Sequence, residues 1–287
     1  MAETFLICTN GQETTWPAIE YGAWMAAALQ SPVMLLGVAE HLPSSPIDAK
    51  HPLEGIFSRA VELFEQKGLT YTLEVQNGDA EQVIPREARK REGLVVLGRL
   101  SRPPLRRWLA GRSIRRLLSE ISSPILYVPQ ACLPLKRMLV CLGGLGYEVN
   151  AEQLGIRAGV IAQAEVTLLH VAPPVDLEYP AARVEREHWR DLEKTDSLTG
   201  RHVRLALDAA RSAGLAATLK ARQGNIIEEI LAEIRQGHYD LVCMGSTYSS
   251  HGLRHLYGPN VTEEVAEQAP CPVLIARYSG IEALVRR

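Results

Sequence analysis

Gly98-Arg99-Leu100-Ser101, followed by Gly111-Arg112-Ser113, has the make-up of an anion-binding loop. Glycines let backbone amides come close to an anion, and a serine hydroxyl adds a donor. A helix starting just after such a loop presents unpaired amides and a positive dipole end, which suits phosphate. Arg99, Arg102, Arg106, Arg107, Arg112, Arg115 and Arg116 crowd the same segment. Guanidinium groups grip phosphate oxygens in pairs. The competing reading of this cluster is a solvated basic surface, or ion pairs between domains. Nucleic acid would use the same patch, but the rest of the chain is not basic, so nucleic acid is not expected. His251 and His255 are four apart with His238 near in sequence, yet Gly252 interrupts a regular helix and no third ligand is evident, so no metal site is expected. No HExxH, GxSxG or GxxxxGK[ST] motif is present.

The elements that must position these residues occur twice. Met34-Leu35-Leu36-Gly37-Val38 returns 133 residues later as Thr167-Leu168-Leu169-His170-Val171, and Cys8-Thr9-Asn10-Gly11 returns at the same offset as Cys141-Leu142-Gly143-Gly144. The offset widens to 146 for Asn77-Gly78-Asp79 against Gln223-Gly224-Asn225, and to 147 for Leu94–Gly98 against Leu241–Gly245. Ser123-Pro124-Ile125-Leu126 answers to Cys271-Pro272-Val273-Leu274 at 148. Constant order with one main insertion, between Val171 and Gly224, indicates duplication.

Within each repeat short apolar runs alternate with helix-period stretches. Strands are predicted at Thr4–Cys8, Val33–Val38, Thr70–Val75, Leu94–Leu97 and Ile125–Val128, then at Met138–Leu142, Val166–Val171, Ala216–Ala221, Leu241–Met244 and Val273–Ala276. Apolarity on both sides suits parallel strands covered on both faces. Helices are predicted at Thr15–Leu29, Leu53–Lys67, Ala80–Arg91 and Ser113–Ile121, then at Asn150–Ala162, Ala181–Ala213 with a break near Ser197–Gly200, Ile226–Gln236 and Asn260–Gln268. Asp79 is placed to cap a helix. The expectation is two tandem doubly wound, five-stranded parallel α/β domains. They are expected to be 1–130 and 137–287, joined by a short linker at 131–136 and packed as a pseudo-dimer. Such sheets bind ligands beyond the strand ends where strand order reverses. That points to the loops after the first and fourth strands, with Asn10-Gly11, Gly143-Gly144, Gly98 and Gly245.

Leu241-Val242-Cys243-Met244-Gly245-Ser246, then Gly252-Leu253-Arg254, Asn260-Val261-Thr262-Glu263 and Pro270-Cys271-Pro272-Val273-Leu274-Ile275, resembles the C-terminal signature of the universal stress protein family. The first half is similar through Leu94–Gly98 and Ser123–Leu126, so the resemblance covers both halves, as in tandem members. It implies a cytoplasmic stress-response protein, some members of the family binding ATP. The family's phosphate loop resembles Gly-x2-Gly-x9-Gly-Ser/Thr, preceded by an Asp ending the first strand and a Val ending the second that contacts adenine. Carried over, this implies Asn10 in place of the Asp, then Gly11, Val38, Gly98, Arg99, Ser101, Gly111, Arg112 and Ser113. In the second half it implies Gly144, Val171, Gly245 and Asn260. That half departs further: Gly143 replaces the Asp, Tyr248 stands at the second glycine, and the spacing brings Pro259 to the third.

The 287 residues suffice for two cores, and the net charge of −2 gives no general reason to expect nucleic acid or membrane. The N-terminus lacks a signal peptide's pattern, and the five cysteines form no CxxC pair, so they read as reduced thiols in a cytoplasmic protein. The expected function is non-catalytic binding of ATP or another adenine nucleotide, or of an unidentified protein partner, with a homodimer left open. The alternatives are weak ATP hydrolysis and an interaction scaffold with decayed nucleotide sites.

Overall fold

A computed structural model describes residues 4–39, 52–99, 110–143, 149–172, 187–247 and 261–278. Two units, Met1–Ala131 and Cys132–Arg287, each gather their own contacts. In the first, apolar runs form β1 (Thr4–Thr9), β2 (Val33–Ala39), β3 (Tyr71–Asn77), β4 (Gly93–Gly98) and β5 (Ile125–Val128). Helices α1 (Trp16–Ala28), α2 (Pro52–Gln66), α3 (Ala80–Arg89) and α4 (Ala110–Glu120) alternate with them. All strand pairs are parallel, in the order β3-β2-β1-β4-β5. The second unit repeats the plan with β6 (Arg137–Leu142), α5 (Val149–Ala162), β7 (Glu165–Ala172), α6 (Leu198–Ser212), β8 (Ala217–Gln223), α7 (Ile226–Gly237), β9 (Leu241–Thr247), α8 (Val261–Gln268) and β10 (Val273–Tyr278). Its order is β8-β7-β6-β9-β10. Each unit is therefore the doubly wound parallel sheet expected.

The duplication is written into the strand registers. Cys8 stands beside Leu36 on β2 and Leu97 on β4. Cys141 stands beside Leu169 on β7 and Met244 on β9. Leu36 and Leu169 keep the offset of 133 and Leu97 and Met244 that of 147, so equivalent residues share neighbours. A one-residue slip would turn every side chain to the other face, which burial of both faces of the central strands forbids. Phe5, Leu6, Ile7 and Cys8 on β1 are all buried, as are Met138, Leu139 and Val140 on β6.

The edge strand β3 departs from the expected two-sided burial. Leu73 and Val75 are 44% and 53% exposed. They point to one face, while Glu74 and Gln76 point to the other and are partly covered. An edge strand has only one neighbour, so its apolar alternation does not ensure cover.

Within its described part the predicted stretch 181–213 breaks just ahead of Leu198, as expected near Ser197–Gly200, but the segment before the break is not an α-helix. Trp189–Lys194 is a 3-10 turn, Thr195 is extended, and α6 starts at Leu198. Ser197 Oγ accepts from Gly200 N at 3.0 Å and caps α6, while Arg204 donates to the carbonyls of Glu193 and Thr195, both at 2.6 Å. The cap starts a new helix, and the arginine fixes the break. Among the described residues no helix is long and apolar enough to cross a membrane.

Equivalent positions do not cap alike. Asn225 Oδ1 accepts from Ile227 N at 3.0 Å and Glu228 N at 3.3 Å. Asp79 holds the same extended backbone, but its carboxylate makes no capping bond, contrary to expectation. Asn225→Ala is therefore expected to lower stability by about 1 kcal/mol, and Asp79→Ala by less than about 0.5 kcal/mol. Urea denaturation of the two variants checks this; equal losses would show that Asp79 caps in solution.

Candidate nucleotide-binding site

In the first unit β1 and β4 are neighbours, but their crossovers leave in opposite directions, so the loops after Thr9 and Gly98 part at a switch point. The loop after β1 satisfies its own polar groups. Thr15 Oγ1 donates to Gln12 O at 2.8 Å. The 2.6 Å contact between Thr9 Oγ1 and Thr15 Oγ1 must then have Thr9 as donor, since a hydroxyl carries one proton. Thr9 Oγ1 also accepts from Gly11 N at 3.1 Å, and Asn10 Oδ1 accepts from Gln12 N at 3.2 Å. The Asn10 side chain thus helps to shape its own turn.

Contacts across the switch bring four of the expected residues together. Thr14 Oγ1 donates to Arg99 O at 3.0 Å, tying the Asn10-Gly11 loop to the end of β4. A Cβ on Gly98 would lie 2.9 Å from Thr15 Cα and 3.1 Å from Ala18 Cβ, so a glycine is needed for α1 to pass. Gly11 has φ +83°, and a Cβ there would lie 2.7 Å from Leu53 N, so the first turn of α2 rests against it. Arg59 of α2 stacks 4.0 Å over the Trp16 ring and pairs with Glu13 at 2.5 Å, fastening α2 to the start of α1. Both site glycines are thus required by the protein's own packing, whatever they do for a ligand.

Val38 is buried on β2, one residue beyond Gly37, which stands beside Thr9. Helix α4 begins at Ala110, earlier than the expected Ser113, and so holds Gly111, Arg112 and Ser113 in its first turn. The first amides of a helix have no partner within it. Because β4 and β5 are parallel, the connecting helix runs back against them, and its N-terminus lies toward the sheet edge where Thr9 and Gly98 end. Ser101 lies outside the described residues.

In the second unit Val171 is buried on β7 and Gly245 lies on β9. Thr262 Oγ1 donates to Gly245 O at 3.3 Å, so α8 holds the end of β9. His170 stands where the first unit has Gly37, and its Nδ1 lies 3.0 Å from Leu142 O at the end of β6. A carbonyl only accepts, so Nδ1 carries the proton. His170 was not singled out from sequence; its signal is the glycine-to-histidine change at a repeat position. Gly144, Asn260, Tyr248, Pro259, His251 and His255 lie outside the described residues. Among the described residues no three His, Cys, Asp or Glu side chains are grouped to hold a metal.

A further pair emerges at an offset of 146: Glu87 on α3 and Glu233 on α7, both buried. Arg86, Lys90 and Arg91 surround Glu87, and Arg91 also reaches Glu74 of β3. Lys220 and Arg222 of β8 pair with Glu233, which also accepts from Tyr239 Oη at 2.7 Å. Burial pushes both carboxyls up, but hydrogen bonds from these partners outweigh it and hold both below the ordinary range, Glu87 at about 2. These carboxylates tie helix to edge strand, away from the switch points.

A doubly wound parallel sheet repeated in one chain, with a glycine near the end of each fourth strand, defines a tandem α/β protein. The universal stress protein family model matches residues 1–129 and 134–277, and the chain belongs to that family as a tandem member. Among solved structures, a universal stress protein from Archaeoglobus fulgidus DSM 4304 is 16% identical, with 96% of each chain covered and a TM-score of 0.64. A protein of unknown function from Pseudomonas aeruginosa PAO1 is 12% identical, with 96% of this chain and 92% of that chain covered, also at a TM-score of 0.64. At these identities the likeness is one of fold. No curated protein matches the sequence.

Proposed function

We propose that the protein is a non-catalytic cytoplasmic stress-response protein that binds an adenine nucleotide at the first-unit switch point. The observation that carries this reading is the tie between the Asn10-Gly11 and Gly98-Arg99 segments, on the sheet edge toward which the first turn of α4 is directed. In this reading the amides of Gly111–Ser113 receive phosphate, Arg99 and Arg112 supply charge, and the Val38 backbone meets the base. The second unit has Gly143 for Asn10 and His170 for Gly37, so one nucleotide per chain is expected.

Arg112→Ala should weaken ATP binding by roughly tenfold and lower its salt dependence, the usual effect of losing a charge-assisted contact. Arg116→Ala should matter less, because Arg116 Nε already pairs with Glu120 at 2.7 Å. Isothermal titration of ATP and ADP, with a phosphate-release assay, tests this. Binding without release supports the reading. Release would make the protein an enzyme, and no binding would leave a partner-binding scaffold.

A further inference from the structure

Five free thiols are present, and they are not equivalent. Cys8, Cys141 and Cys243 lie buried on central strands. Burial pushes their pKa values up, that of Cys141 to about 12, which leaves them poor nucleophiles. Cys132 is half-buried in the segment leading to β6, and Cys271 is buried just ahead of β10.

The starts of three strands are stitched together at this place. Asp240, just ahead of β9, accepts the amides of both Lys136 and Arg137 on Oδ2, each at 2.9 Å. Pro272 O, one residue past Cys271, accepts from Val242 N at 2.9 Å. Leu135 is buried and anchors the approach to β6. The order β10-β9-β6 puts β10 two strands from β6, about 10 Å at ordinary strand spacing. Cys132 lies four residues ahead of Lys136, so the chain from that anchor readily spans the gap. Burial pushes the Cys271 thiol up, and the charges of Cys132 and Asp240 add to it.

We infer that Cys132 and Cys271 are a site of reversible oxidation, joined by a disulfide when a hydroperoxide reaches the base of the second sheet. The more exposed Cys132 reacts first: its thiolate attacks the outer oxygen of the hydroperoxide, breaks the O–O bond and becomes a sulfenic acid, releasing an alkoxide (hydroxide when the oxidant is hydrogen peroxide) that takes up a proton to leave as alcohol or water. Cys271 sulfur then attacks the Cys132 sulfur. The S–S bond forms, the sulfenic hydroxyl leaves, and it takes the Cys271 proton to become water. Two thiols thus supply the two electrons that reduce one peroxide. Cys271 is as weakly acidic as the other buried thiols, so what selects it is its place at the same end of the sheet as the segment carrying Cys132, and this second step should quicken as pH rises. The linked residues bracket almost the whole second unit, so oxidation would pin its entry segment to its last strand.

The test is peroxide treatment of the intact chain, followed by alkylation, thiol counting and peptide mapping. The five thiols should fall to three, with one link between the Cys132 and Cys271 peptides, and dithiothreitol should restore five. Cys132→Ser, which changes only a half-buried side chain, should keep its four remaining thiols. Cys271→Ala should instead accumulate a sulfenic acid at Cys132, trapped by dimedone. An unchanged count in the unsubstituted chain, a different pair, a sulfenic acid there that persists without linking, or a link between two chains would each overturn the inference.

Discussion

Glu87→Gln is expected to lower the stability of the first unit by about 2 kcal/mol at neutral pH. The Glu87 side chain is 1% exposed and takes bonds from Arg86 Nε at 3.2 Å, Lys90 Nζ at 2.8 Å and Arg91 Nη1 at 2.9 Å. Its folded pKa of about 2 lies below the ordinary 4.5. A depressed carboxylate stabilises the fold above its unfolded pKa and loses that contribution as pH falls through the folded one. The full difference in pKa would suggest a larger figure, but the cations are partly exposed and water screens them, hence about 2 kcal/mol. The gap between wild type and variant should be constant above pH 5 and shrink by about half or more at pH 3. Urea melts at both pH values measure it; a gap that does not change with pH would mean that the charge on Glu87 contributes nothing.

Gly98→Val should destabilise the first unit by about 3 kcal/mol, through overpacking. Valine suits a strand, yet the new Cβ would fall 2.9 Å from Thr15 Cα, a backbone atom that moves only with the start of α1. Nucleotide affinity should fall with it, because Thr14, beside Thr15, holds the Arg99 carbonyl. Loss of binding in this variant alone therefore does not make Gly98 a ligand contact; the Arg112→Ala result has to stand beside it. A thermal midpoint equal to wild type would show that α1 yields without cost.

The order of elements and the correspondence between the halves were legible because two-sided apolar runs alternate with helix-period stretches in the same sequence twice. The runs around Leu36 and Leu97 read as strands covered on both faces, and their offsets already named their counterparts. What escaped depends on partners distant in sequence. Leu73 and Val75 look like core until β3 proves to have one neighbour. Asp79 and Asn225 both fit a cap, and only the second turns its side chain to the amides. The glycine positions at Gly11 and Gly98 were read for what they allow a ligand; the constraint from Leu53 N and Thr15 Cα required the packed helices. Glu87 sits at sequence distances from its cations that suggest an ordinary surface helix, and nothing local marks it as buried.

A duplicated chain carries a folding hazard: two sheets of the same strand order offer each helix two places to dock. The ion pairs at the edges sort them. Helix α3 and the two residues after it set Arg86, Lys90 and Arg91 around Glu87, and Arg91 meets Glu74 on β3. Helix α7 carries Glu229 and Glu233 and meets Lys220 and Arg222 on β8. If the helices traded places, α3 over β8 would crowd five cations around Glu87, while α7 over β3 would set three carboxylates together without the strand cations they need. Like charges so placed repel, and a carboxylate left buried without a partner is costly. The two halves share a backbone plan but carry opposite electrical keys, so that each helix closes on its own sheet.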